Sequence, residues 1–96
     1  MVYQDEHTVA FKDINPQAPV HVLVVPKKHV ATLLEKDAAN GELLSRIYTV
    51  IQHLAKEFEL EKGFRVVSNY GPDGGQSVYH IHFHLLGRRV MGWPPG

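Results

Sequence analysis

Seven histidines stand in this sequence, and three of them alternate in one short run, His80-Ile81-His82-Phe83-His84-Leu85-Leu86. Alternate residues of an extended strand share a face, so the pattern sets three imidazoles on one side and Ile81, Phe83 and Leu85 on the other. The expected strand runs from Val78 to Leu86, its apolar side against a helix and its imidazole side free to work. Three rings in register on a merely structural face would each need a polar partner. A neutral imidazole with a pKa of about 6.5 is, by contrast, a competent nucleophile at physiological pH. His82, the central ring, is best placed to attack phosphorus. Its other nitrogen would donate to a backbone carbonyl, which fixes the tautomer and keeps the attacking lone pair free. His80 and His84 would then offer hydrogen bonds or positive charge to the phosphoryl oxygens, where charge develops in the transition state.

Just upstream, Gly71-Pro72-Asp73-Gly74-Gly75-Gln76-Ser77 places three glycines in a turn. The backbone N–H groups of such a turn can cradle a phosphate, although Asp-Gly-Gly alone is also an ordinary hairpin turn. The Ser77 hydroxyl would add a donor, or pass a proton to a departing amine, which leaves poorly unless protonated. The rival reading is a zinc site. His80 with His82, or His82 with His84, stand about 6.5–7 Å apart at the backbone and can converge on one ion, whereas His80 and His84, roughly 13 Å apart, cannot both join it. A third ligand would come from another strand, with His21 the candidate, and no carboxylate adjoins the histidine run to orient the set. His7 and His53 read as ordinary surface or half-buried residues, His29 as structural, and Lys27-Lys28 as a solvated pair that steers anions weakly.

The elements that must hold these groups are legible in the periodicity. Val2–Gln4 and Thr8–Asp13 read as a hairpin about Asp5-Glu6, with Val9 and Phe11 on one side and Thr8, Ala10 and Lys12 on the other. After the loop Asn15–Pro19, His21–Val25 is a nearly continuous β-branched run closed by Pro26, a central strand needing cover on both faces or a neighbour that lies over it. From about Ala38 to Leu60 the spacing of Leu43, Leu44, Ile47, Ile51, Leu54 and Phe58 predicts an amphipathic helix, capped by Asp37 or Asn40 and stopped by Gly63. Phe64–Asn69 is a further strand, followed by the glycine turn Gly71–Gln76. The fold class is α+β: a mostly antiparallel sheet of four or five strands with one long helix on one face.

A chain of 96 residues suits a single domain, residues 1–96, and would gain burial by pairing with a second copy. Ten basic and ten acidic residues balance, and no basic stripe answers a polynucleotide backbone, so no nucleic-acid partner is expected. The absence of cysteine excludes disulfides and thiolate metal sites and suits a reducing, cytoplasmic setting. No basic leader followed by an apolar run, and no stretch of eighteen apolar residues, points to a membrane.

The run from His80 to Leu86 also resembles the signature of the histidine-triad family of nucleotide hydrolases and transferases, in which three histidines alternate with apolar residues and two apolar residues follow. Phe11-Lys12-Asp13-Ile14, Pro16-Gln17-Ala18-Pro19, Val25-Pro26-Lys27-Lys28-His29, Asp73–His80 and Trp93-Pro94-Pro95-Gly96 extend the likeness over nearly the whole chain, to the Hint branch of histidine-triad nucleotide-binding proteins. The resemblance implies a homodimer with one continuous sheet, and hydrolysis of purine nucleoside phosphoramidates through a nucleotidyl-histidine intermediate, with no metal or other cofactor required. It implies that His82 is the nucleophile and that His80, His84 and His21 surround the phosphate, with Asn69, Gly75, Gln76, Ser77 and Val78 beside it. Asp13 would hold the ribose hydroxyls, a contact that makes sense because a carboxylate accepts from both. Ile14 would line the base pocket, and Trp93 would reach toward the partner subunit's site. Members of this branch carry further residues in front, so part of that pocket's wall is expected to lie outside this sequence. A nucleotide-sensing or partner-regulating module would use the same residues, and turnover is what separates it from an enzyme.

Overall fold

The structure, a computed structural model, describes residues 1–96. Strands β1 (Tyr3–Gln4), β2 (Thr8–Lys12), β3 (Val20–Pro26), β4 (Phe64–Val67) and β5 (Phe83–Gly87) form one sheet in the order β1-β2-β3-β5-β4, with every pairing antiparallel. The expected α+β architecture is therefore the one observed. At the first hairpin the Asp5 carboxylate accepts from the Tyr3 hydroxyl and from the backbone N–H groups of His7 and Thr8, which closes the turn through one side chain. These donors, the Tyr3 hydroxyl foremost, hold the Asp5 carboxyl below its ordinary range.

Helix α1 (Gly41–Glu57) lies on one face of the sheet. Its Ile47, Val50, Ile51 and Leu54 recur at helical spacing and pack on Ala10, Val20, Val22, Val24 and Leu85. The Asn40 side chain caps it by accepting from Leu43 N–H at 3.0 Å, so Asp37 is not the cap; Lys36–Ala39 forms a separate 3-10 turn ahead of it. The helix ends sooner than the periodicity implies. Glu59, at φ 57°, takes the left-handed position expected of Gly63, and Leu60 then folds back into the core. In β2 the core side is Thr8 and Ala10, whereas Phe11 is exposed on the opposite face.

The final strand is shorter than its alternation predicts, because β5 starts at Phe83 and leaves Val78–His82 irregular. Pairing with β3 advances to Val24↔Phe83 and stops near Pro26. Pro26 has no N–H with which to continue the ladder. The chain turns there instead, and Ile81 N–H donates to the Val30 carbonyl at 2.7 Å. Ile81 accordingly leaves the main core for a smaller cluster with Val30 and Ala38. The expected glycine turn is also more ordered than a loop. Gly71–Gly74 makes one helical turn, α2, and Gly75, at φ 81°, ends it in a conformation that glycine adopts without strain.

Candidate active site

On the face of the sheet away from α1, register puts His21 of β3 and His84 of β5 on neighbouring strands, since His21 pairs with Leu86 and Leu23 with His84. His21 is buried and His84 half-buried. His21 Nε2 lies 2.8 Å from His84 Nδ1 and 3.5 Å from an Asp13 carboxylate oxygen, and the Gln17 backbone N–H donates to His21 Nδ1 at 3.0 Å. Burial, reinforced by the neighbouring His82 and His21 and opposed by Asp13, pushes the His84 pKa below its ordinary value. His84 is therefore neutral at physiological pH.

His82 follows in the row, its ring centroid 5.1 Å from that of His84 and nearly edge-on to it. His82 Nδ1 lies 2.9 Å from the His80 carbonyl. A carbonyl only accepts, so Nδ1 carries the proton and Nε2 keeps its lone pair. The Ser68 hydroxyl donates to the His82 carbonyl at 2.9 Å and pins the backbone where β5 has not yet begun. His80 does not share the strand face expected for it. Its Nε2 donates to the Pro26 carbonyl at 2.7 Å, and its ring stacks on His29 with the two Nδ1 atoms 3.2 Å apart. Hence the row is not three rings of one straight strand. It is His21, His84 and His82 in sequence, with the His80–His29 pair behind, so that His29, read from sequence as structural, stands beside this constellation.

The glycine turn supplies fewer free donors than its composition suggests. Gly75 N–H and Gln76 N–H close α2 onto the Pro72 and Gly71 carbonyls. The Gln76 side chain is buried and structural, accepting from Gly71 N–H and donating to the Ala31 and Val78 carbonyls. Ser77 and Val78 follow in exposed, irregular backbone, and Asn69 packs beside Gly74. Ile14 is fully exposed, as is most of Trp93. Phe11, missed as a site residue from sequence, lies on the histidine face, because it pairs with Leu23 as Leu23 pairs with His84. The strand phase, which the sequence leaves ambiguous for Thr8–Lys12, is the signal that identifies it.

Asp13, His21 and His84 bring three potential metal ligand atoms within 4.8 Å of one another, so a carboxylate does adjoin the histidines, contrary to the sequence expectation. Their chemistry does not fit a zinc ion as they stand. The Gln17 N–H occupies Nδ1 of His21, so neutral His21 holds its proton on Nε2, the nitrogen that faces the other two. A protonated nitrogen ligates no metal.

A family model described as the HIT domain matches residues 1–91. Among curated proteins, a 14 kDa zinc-binding protein of Zea mays is 51% identical over 98 residues, covering 100% of this chain and 77% of its own. A solved HIT family hydrolase from Legionella pneumophila is 50% identical, with a TM-score of 0.92 over 99% of this chain and 86% of the other. A solved histidine triad nucleotide-binding protein from Candida albicans is 34% identical, with a TM-score of 0.78 over 97% of this chain and 72% of the other.

Proposed function

This chain belongs to the HIT domain family, and from that premise we propose that it is a purine nucleoside phosphoramidate hydrolase of the Hint type, working through a nucleotidyl-histidine on His82. The observation that carries the reading is the bond between His82 Nδ1 and the His80 carbonyl, which frees Nε2 as the nucleophile. Nε2 attacks the α-phosphorus, an N–P bond forms, the P–N bond to the amine breaks, and the amine leaves with a proton from the Ser77 hydroxyl or a neighbouring imidazole. Water then attacks the same phosphorus: its oxygen bonds to phosphorus as the His82–phosphorus bond breaks, one of its protons returns to the group that protonated the amine, and the nucleoside monophosphate leaves a neutral imidazole. His84 steadies the phosphoryl oxygens, aided by the backbone N–H groups of Ser77 and Val78, by Ser77 itself and by Asn69, while His80, its Nε2 proton on the Pro26 carbonyl, presents the carbonyl that orients His82.

Asp13 accepts from the ribose hydroxyls, and the base lies over the apolar side of the histidine face, where Phe11 and Leu23 adjoin. Two copies pair through β4, the longer of the sheet's two outer strands, extending the sheet and bringing Trp93 toward the other copy's site. Replacing His82 with Asn should lower steady-state hydrolysis of adenosine 5′-phosphoramidate in chelator by on the order of a thousandfold or more, with fold and nucleotide binding retained. Undiminished turnover by that variant would remove His82 from the nucleophile's role, and tight binding without turnover by the parent protein would favour a nucleotide-sensing module.

A further inference from the structure

The hydrogen bonds around the imidazoles leave little choice of tautomer. The Gln17 N–H can only donate, so Nδ1 of His21 accepts and a neutral His21 carries its proton on Nε2. That proton lies 2.8 Å from His84 Nδ1, which must then be a lone pair, and the His84 proton is left on Nε2. At the other end, the His80 carbonyl places the His82 proton on Nδ1, and the Pro26 carbonyl places the His80 proton on Nε2. His80 Nδ1 is therefore an acceptor, and His29 donates to it from its own Nδ1. Each assignment at the His21 end follows from one fixed group, the Gln17 amide. That amide sits in the Asn15–Pro19 loop, braced at its carbonyl by Arg89 Nε at 2.9 Å and by the Gln17 side chain donating to the Asn15 carbonyl at 3.0 Å.

We propose that the backbone N–H of Gln17 is a positioning group that sets the direction of hydrogen bonding through the row: it holds His21 as the Nε2–H tautomer, makes His84 a donor toward the phosphoryl site, and closes Asp13, His21 and His84 to divalent cations. The mechanism is geometric. With Nδ1 of His21 taken, its Nε2 proton can go only to His84 Nδ1 or to Asp13, and in either case no lone pair on Nε2 faces a cation. Were the amide withdrawn, His21 could move its proton to Nδ1 and present Nε2 as a ligand. One distance is already close to that needed, since ligand atoms held tetrahedrally at about 2.0–2.1 Å from zinc lie roughly 3.3–3.4 Å apart and His21 Nε2 is 3.5 Å from the Asp13 oxygen, whereas the 2.8 Å between His21 Nε2 and His84 Nδ1 would have to open. A metal and a donating His84 are thus alternative states of one cluster, and the loop amide selects the second.

The donor role of His84 rests on the phosphoryl-transfer reading, but the tautomers do not, and they can be read without substrate. Long-range proton–nitrogen correlation spectra of the 15N-labelled, ligand-free protein at about pH 8, above the usual imidazole range, should show His21, His84 and His80 protonated at Nε2, and His82 and His29 at Nδ1. A His21 protonated at Nδ1, or averaged between the two forms, overturns the proposal whether or not the chain hydrolyses phosphoramidates. The Gln17→Pro substitution removes the amide proton and leaves every side chain of the row in place. It should move His21 toward the Nδ1–H form and let zinc alone perturb the His21 and His84 signals at concentrations on the order of tenfold lower than in the parent. Gln17→Ala, which keeps the amide and removes only the side-chain brace to Asn15, should shift both readouts far less than Gln17→Pro. Should Gln17→Pro fail to fold, Arg89→Ala, which frees the loop's carbonyl anchor, should shift both readouts in the same direction by a smaller amount. Tautomers and zinc response that stay unchanged in a folded Gln17→Pro, or in Arg89→Ala where it does not fold, overturn the assignment.

Discussion

His84 is a site residue whose protonation the fold resists. Burial holds its pKa below the ordinary 6.5, so between the two values the unfolded chain binds a proton that the folded chain refuses. Stability is then full above about 6.5 and declines as pH falls toward the folded-state pKa. The Asp5 carboxyl, whose pKa is lowered by its hairpin donors, adds a second loss of the same sign that begins lower, near its ordinary value of 3.8. Urea midpoints measured from about pH 8 downward should fall in these two windows, and His84→Gln should flatten the upper one; a parent midpoint that rises on acidification to about pH 5.5 would contradict the assignment. At this scale the sequence was partly informative. Alternation marked His80, His82 and His84, and a carbonyl partner for His82 follows from nucleophile chemistry. His29 and the Gln17 amide were hidden, because a backbone N–H has no sequence signature and His29 meets His80 only through a bend.

That bend is a property of elements. Three alternating histidines read as strand, yet β5 begins only at Phe83, because Pro26 of the neighbouring strand ends the ladder and offers a carbonyl that His80 takes. Periodicity reports which face a residue prefers but not where a partner strand stops. The helix was legible for the opposite reason, since Ile47, Ile51 and Leu54 recur at helical spacing within a 17-residue helix and need no distant partner to define their period. At the end of β5, a Cβ at Gly87 would lie 2.6 Å from a Leu60 methyl carbon, so any side chain there displaces Leu60. Gly87→Ala should lower unfolding stability by on the order of 1–3 kcal/mol through overpacking where the chain returns from α1. An unchanged denaturation midpoint would show that Leu60 yields freely.

For the molecule as a whole, one sheet separates the labour: the face under α1 holds the apolar core, and the opposite face carries His21, His84 and the bordering Asp13. The fold class was readable from sequence because several strand runs surround one long helical stripe, whereas the division of β3 into Val20, Val22 and Val24 against His21, Leu23 and Val25 came only with the register. Pairing through β4 predicts a solution mass near twice the 10.8 kDa of the chain by sedimentation, and a species of 10.8 kDa at micromolar concentration would contradict it. The central claim is covalent, and the measurement closest to it is rapid-quench mass spectrometry of the protein turning over adenosine 5′-phosphoramidate. One adenylyl group should appear on the peptide bearing His82, formed and lost at rates compatible with turnover and absent in His82→Asn. Product release with His82 unmodified throughout, or an adduct that persists in the variant, would contradict that claim.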